Sequence, residues 1–94
     1  MDLHTLAERI DHGLAGRSFE GSLKFDCGAS GVIVLADGAA STADQDTDCT
    51  IRISPENLSK LLTGKLNPAA GVMTGKLKVS GDMAVALKLG KLIS

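Results

Sequence analysis

The sequence predicts an α+β domain with the element order α-β-β-β-β-α-α-β-α. Three observations carry this reading. Apolar positions recur with helical spacing at the amino end, switch to a period of two between residues 22 and 54, and then return to helical spacing. Asp37-Gly38 stands between two apolar runs as a hairpin signal. No Pro-, Gly- or Ser-rich linker divides the 94 residues, a length that suits one domain over residues 1–94 with one core.

Residues 2–14 read as a helix. Leu3, Leu6, Ala7, Ile10 and Leu14 fall at i, i+3, i+4, i+7 and i+11 on one face. Asp2 is placed to cap it, and Gly13 and Gly16 end it. Leu23, Phe25 and Cys27 then alternate with Lys24 and Asp26, the pattern of a half-buried strand. Gly28 to Gly31 turn the chain. Val32 to Ala36 is continuously apolar, which suits a central strand covered on both sides. Ala39 to Ala43 reads as a weak, small-residue strand suited to a sheet edge. Asp44, Asp46 and Asp48 make a solvated turn, and Cys49, Ile51 and Ile53 alternate with Thr50, Arg52 and Ser54 as another half-buried strand.

From Ser54 the pattern is helical. Ser54 serves as N-cap, Pro55 occupies the first helical position, and Glu56 lies near the positive helix end. Leu58, Leu61 and Leu62 form the apolar face, and Gly64 terminates it. Asn67-Pro68 opens a short helix holding Val72 and Met73 and closed by Gly75. Leu77 and Val79 alternate with Lys76, Lys78 and Ser80 as a fifth strand. Gly81 turns the chain, and Asp82 caps a last helix through Leu92.

That last helix is unusually apolar. Only Ala84, Lys88 and Lys91 cluster as an outer face, and the remaining residues cover about 220° of the wheel. A surface helix needs a stripe of only about 100° or somewhat more. The helix therefore covers the sheet and a second apolar surface: a neighbouring helix, a ligand, a partner chain or a membrane. Met73 and Met83 suit irregular apolar space.

Composition excludes several functions. Ten basic against 11 acidic residues give a net charge of -1, which argues against a nucleic-acid partner. An aromatic content of 2%, Phe19 and Phe25 alone, disfavours a base-stacking platform. Two cysteines make no disulfide framework, and Met1 leads into a charged amphipathic stretch with no leader-like apolar run, so a cytoplasmic protein with reduced thiols is expected. The charge is uneven. Residues 1–48 carry three basic and nine acidic side chains, a net of -6, whereas residues 49–94 carry seven and two, a net of +5. Lys60, Lys65, Lys76, Lys78, Lys88 and Lys91 are thus placed to attract an anionic head group or membrane surface.

No catalytic set emerges. His4 and His12 have no nearby Cys partner and read as surface positions rather than metal ligands. Cys27 and Cys49 fall on the apolar phase of their strands and read as buried thiols. The run Asp44-Gln45-Asp46-Thr47-Asp48 opens like a calcium loop, but Cys49 stands where glycine is needed and Pro55 where glutamate is needed. Gly64-Lys65 and Gly75-Lys76 are followed by leucine and lack the upstream glycine of a phosphate-binding loop. With no assignable acid, base or nucleophile, no enzyme activity and no metal are expected.

The stretch from Leu61 to Leu92 is more specific. It holds Gly64-Lys65 after a leucine-rich helix, Pro68 starting a short helix, Gly75-Lys76-Leu77-Lys78-Val79 as a strand, a Gly81-Asp82 turn, and an Ala/Leu-rich closing helix with Ala86 and Leu89. This closely resembles the signature of the sterol carrier protein type 2 family. The resemblance implies a five-stranded mixed, mostly antiparallel sheet with helices packed over one face, enclosing an apolar tunnel. It implies non-catalytic binding or transfer of a fatty acyl chain, acyl-CoA, sterol-like lipid or phospholipid, with the lipid as ligand and no other cofactor. Transferred by position, the lining comes from Phe25, Ile33, Leu35, Ile51 and Ile53 on strands, with Leu58, Leu62, Met73, Leu77, Val79, Met83, Ala86 and Leu87 completing it.

Departures exist. Val72 stands where a Phe is common in the family, and the chain finishes Lys91-Leu92-Ile93-Ser94 without a peroxisomal Ser-Lys-Leu address. It looks more like a free-standing bacterial member, a monomer or weak homodimer. The alternative is an accessory module whose apolar last helix docks on an enzyme of lipid or quinone metabolism.

Overall fold

The computed structural model describes residues 3–14, 21–36 and 38–93. The elements are α1 (Leu3–Leu14), β1 (Leu23–Asp26), a single 3-10 turn (Gly28–Ser30), β2 (Val32–Ala36), β3 (Ala39–Ser41), β4 (Cys49–Ile53), α2 (Pro55–Leu62), α3 (Pro68–Met73), β5 (Leu77–Gly81) and α4 (Met83–Ile93). The order of types is the one the sequence pattern predicts.

The five strands form one open sheet in the order β3-β2-β1-β4-β5. Only β1 and β4 run parallel; the other three pairings are antiparallel. The register sorts side chains into rows. On the face that carries the core, Ala40, Leu35, Leu23, Cys49 and Gly81 form one row, Ile33, Phe25, Ile51 and Val79 the next, and Ile53 and Leu77 a third. The opposite face carries Lys24, Asp26, Thr50, Arg52, Lys78 and Ser80. This apolar-in, polar-out alternation is what a sheet buried on one face requires.

Helix α1 packs on β2 and β3 and touches α2 and α4. Its stripe is buried at Leu6, Ala7 and Ile10, with Leu3 packed beside them. Helices α2, α3 and α4 start at side-chain caps. The Ser54 hydroxyl accepts from the Asn57 N–H at 3.1 Å. Asn67 Oδ1 accepts from the N–H groups of Ala69 (2.9 Å) and Ala70 (3.4 Å). Asp82 Oδ1 accepts from the Ala84 N–H at 2.9 Å. Each cap meets donors that a helix start leaves unpaired.

Several boundaries differ from the sequence expectation. Helix α1 ends at Leu14 as expected, whereas α4 extends one residue further, to Ile93. Strand β3 stops at Ser41, and β5 begins at Leu77 rather than Lys76. The middle of the sheet belongs to β1, with β2 one step toward the edge. Hairpin logic places β1, β2 and β3 side by side, but the parallel β1–β4 pairing then puts β1 between β2 and β4. Coverage of β2 on its second face is complete only at Val34, which is 1% exposed although it lies on the polar face. Beside it, Lys24 pairs with Asp44 at 2.7 Å, tying the β3–β4 crossover to that face. The expected roles of Asp2, Gly16 and Asp37 lie outside the described residues.

Candidate functional site

The residues that resemblance assigns to a lipid lining fall into three layers. Phe25, Ile33, Leu35 and Leu58 are fully enclosed, and Ile51, Ile53 and Leu77 are nearly so. A side chain with zero exposure touches no space large enough for water, so this layer is close-packed against its neighbours. Leu62, Val79 and Ala86 are half-buried and rest against that core. Met73 (88% exposed), Met83 (54%) and Leu87 (70%) stand at the surface.

The layers follow the architecture. The enclosed residues sit on β1, β2, β4, α2 and the start of β5, and the partly and fully exposed ones on α2, α3, β5 and α4. Val79 is the midpoint of edge strand β5 and points to the helix-bearing face, in the row that continues through Ile51 and Phe25. At one end of β5, α3 packs closely: a Cβ on Gly71 would lie 2.9 Å from Leu77 Cδ2. At the other end the chain turns into α4, where the Asp82 N–H donates to the Asp48 carbonyl at 2.8 Å. Val79 thus lies between the end gripped by α3 and the end from which α4 departs.

Helix α4 resolves the question its apolar wheel posed. One flank is packed: Val85 is buried, and Ala86 is half-buried against the core. The other flank, Met83 and Leu87 four residues apart, is exposed. Val85 was not singled out by sequence. It holds α4 down, lying 3.0 Å from where a Cβ on Gly21 would stand.

Both cysteines are buried free thiols. Burial pushes the Cys49 thiol above the usual value of 9.0, helped by the Asp82 carboxylate and opposed by the backbone N–H of Ala86. Burial and then the Asp26 carboxylate raise Cys27 likewise. Both therefore remain protonated near neutral pH, the less nucleophilic form. Cys49 also marks the floor beneath α4, since Ala86 reaches it.

A separate recess of about 270 Å³ opens between α1 and β3, lined by His4, Ala7, Glu8, Asp11, Ala40, Ser41 and Thr42. Asp11 Oδ1 accepts the Ala40 N–H there at 3.0 Å, which occupies a donor on the edge strand. Among the described residues, no group of three or more His, Cys, Asp or Glu is placed to hold a metal ion, and no helix is long and apolar enough to cross a membrane.

Comparison with known proteins agrees with this architecture. The SCP-2 sterol transfer family matches residues 6–94. Sterol carrier protein 2 of Gallus gallus is 42% identical over 67 residues, which cover 68% of this chain and 12% of that protein. Peroxisomal multifunctional enzyme A of Dictyostelium discoideum is 45% identical over 64 residues, 68% of this chain and 13% of that protein. The chain thus spans about an eighth of the length of these relatives. Among solved structures, the crystal structure of sterol carrier protein 2 like 2 from Aedes aegypti superposes with a TM-score of 0.79 at 21% identity, covering 97% of this chain and 95% of the other. The solution structure of Aedes aegypti sterol carrier protein-2 in complex with palmitate gives a TM-score of 0.79 at 20% identity, covering 100% and 97%. With the family matched over residues 6–94 of this chain and the fold shared, the chain belongs to the SCP-2 sterol transfer family.

Proposed function

We propose that this chain is a lipid carrier that shields an acyl chain from water between the sheet and helices α3 and α4, with no bond made or broken. The observation that carries the reading is the continuous apolar gradient from exposed Met73, Met83 and Leu87, through half-buried Leu62, Val79 and Ala86, to the enclosed row at Ile51 and Phe25. Family membership supports it, as does a palmitate complex of the same fold.

Energetics favour a site that opens for its ligand. Holding open about 300 Å³ of apolar space costs on the order of 7 kcal/mol. That approaches the stability of a whole small domain, so the lining closes on itself. Burying a sixteen-carbon chain returns on the order of 10 kcal/mol at about 0.8 kcal/mol per methylene. The lipid therefore supplies enough to part α4 from β4 and β5. No titrating or nucleophilic group is required of the site.

Titration with palmitate tests this. Saturable one-to-one binding is expected for the unaltered chain. Ala86→Trp fills the half-buried layer and is expected to abolish binding. Leu87→Asp alters an exposed position, so the fold is expected to persist while binding weakens about ten-fold or more. Failure of the unaltered chain to bind fatty acid, or binding by Ala86→Trp as tight as by the unaltered chain, would remove the proposal.

A further inference from the structure

Between Glu56 and Asp82 the chain carries Lys60, Lys65, Lys76 and Lys78 and no acidic residue. The fold gathers three of these lysines around one corner. The Lys65 N–H donates to the Lys60 carbonyl at 2.8 Å, and the Lys76 N–H donates to the Gly71 carbonyl at 2.9 Å. Leu66, next to Lys65, reaches the position of Gly71 in α3. Lys60, Lys65 and Lys76 are all exposed, and the ion pair of Lys24 with Asp44 lies elsewhere, on the polar face of the sheet. At the same corner α3 presents Val72 (47% exposed) and Met73 (88%) to solvent, beside exposed Ala69 and Ala70.

We propose that this corner, the end of α2 with α3 and the turn into β5, docks on the surface of an anionic lipid bilayer. Val72 and Met73 immerse among the head groups while the three ammonium groups ring them. Charge complementarity selects the partner: three exposed lysines, with the carboxylate of Glu56 one turn before Lys60 on α2, leave the corner net basic and suit a negative surface. Its chemistry favours a fluid bilayer over an acidic protein. Lysines are dispersed point charges with no fixed fork, methionine adapts to irregular apolar surroundings, and a short helix of small residues makes a narrow tip. The placement adds a reason. Behind α3 lie Leu66 and Leu77, and two residues beyond Leu77 on the same face of the strand is Val79, so a docked corner faces lipid toward the proposed site. In this last respect the inference rests on the carrier reading.

Flotation of the full chain with vesicles tests it. Binding is expected to vesicles of phosphatidylcholine with about 30 mol% phosphatidylglycerol, a composition with a strong negative surface potential, and not to phosphatidylcholine alone. It should weaken as salt rises. Each lysine contributes on the order of five-fold to partitioning. Lys60→Gln with Lys65→Gln is therefore expected to lower it about 25-fold. Arg9→Gln with Arg52→Gln removes the same charge elsewhere and is expected to lower it only a few-fold. Met73→Ser should weaken binding while leaving its salt dependence unchanged. Equal loss in the two charge pairs, absence of binding to anionic vesicles, or binding to a poly-glutamate peptide in place of vesicles would overturn the proposal. Palmitate binding measured without vesicles keeps the two readings apart. If palmitate binds but vesicles do not, docking fails alone; if vesicles bind but palmitate does not, the carrier reading fails.

Discussion

Gly81→Ala is expected to destabilise the chain by about 3 kcal/mol or more, at the upper end of what backbone strain and a forced shift bring. Gly81 has a φ of 89° and ends β5 opposite Cys49. A Cβ there would lie 2.5 Å from the Asp48 carbonyl oxygen and 3.1 Å from the Cys49 Cα. Both obstacles are backbone, so no rotamer relieves them. The strand must move, and with it the hydrogen bond from the Asp82 N–H to Asp48 that sets the start of α4. For a chain of this length total stability is roughly 5–14 kcal/mol, so the loss is a large fraction. Urea denaturation should show a lower midpoint with an unchanged slope. A change within about 0.5 kcal/mol, as at an ordinary surface site, would mean that the β5–α4 corner is not built as described.

Phe25→Ala is expected to cost about 3–5 kcal/mol, the range for truncating a buried aromatic ring. Phe25 is fully enclosed at the centre of the sheet, flanked by Ile33 on β2 and Ile51 on β4. Leucine should restore part of the loss by filling part of the ring's volume. Denaturation with and without palmitate separates packing from function. A ligand that binds only the folded chain adds about 2.7 kcal/mol at one hundred times its Kd. Under the carrier reading, saturating palmitate shifts the midpoint upward in the unaltered chain and offsets part of the Phe25→Ala loss. No shift in either would oppose that reading.

The strands were legible because alternation at Leu23–Cys27, Cys49–Ser54 and Leu77–Ser80 needs only the pleat. The helix starts were legible because Ser54, Asn67 and Asp82 are capping residues whose oxygens meet local N–H donors. These are short-range effects. The place of β1 in the middle of the sheet was less legible, because it depends on a parallel pairing between segments more than twenty residues apart. Gly71 gave no signal either: its role is a close approach of α3 to Leu77, which exists only in the folded chain.

For the candidate site, periodicity marks which side chains are apolar but not how many faces of a helix find a partner. The wheel of α4 reads the same at Val85 and Leu87, yet one is 4% exposed and the other 70%. That difference follows from which side of α4 meets β4, β5 and α1 in the folded chain. Resemblance likewise brought Phe25 and Met73 into one set of lining residues, whereas the structure encloses Phe25 in the core and leaves Met73 exposed.

The most direct test of lipid carriage is native mass spectrometry of the freshly purified chain, followed by organic extraction and lipid analysis. A monomer carrying one acyl lipid, or one that takes up a single added fatty acid, is expected. A ligand-free chain that also fails to take up added fatty acid or acyl-CoA would contradict it, and the exposed flank of α4 would then be read as a surface for another protein.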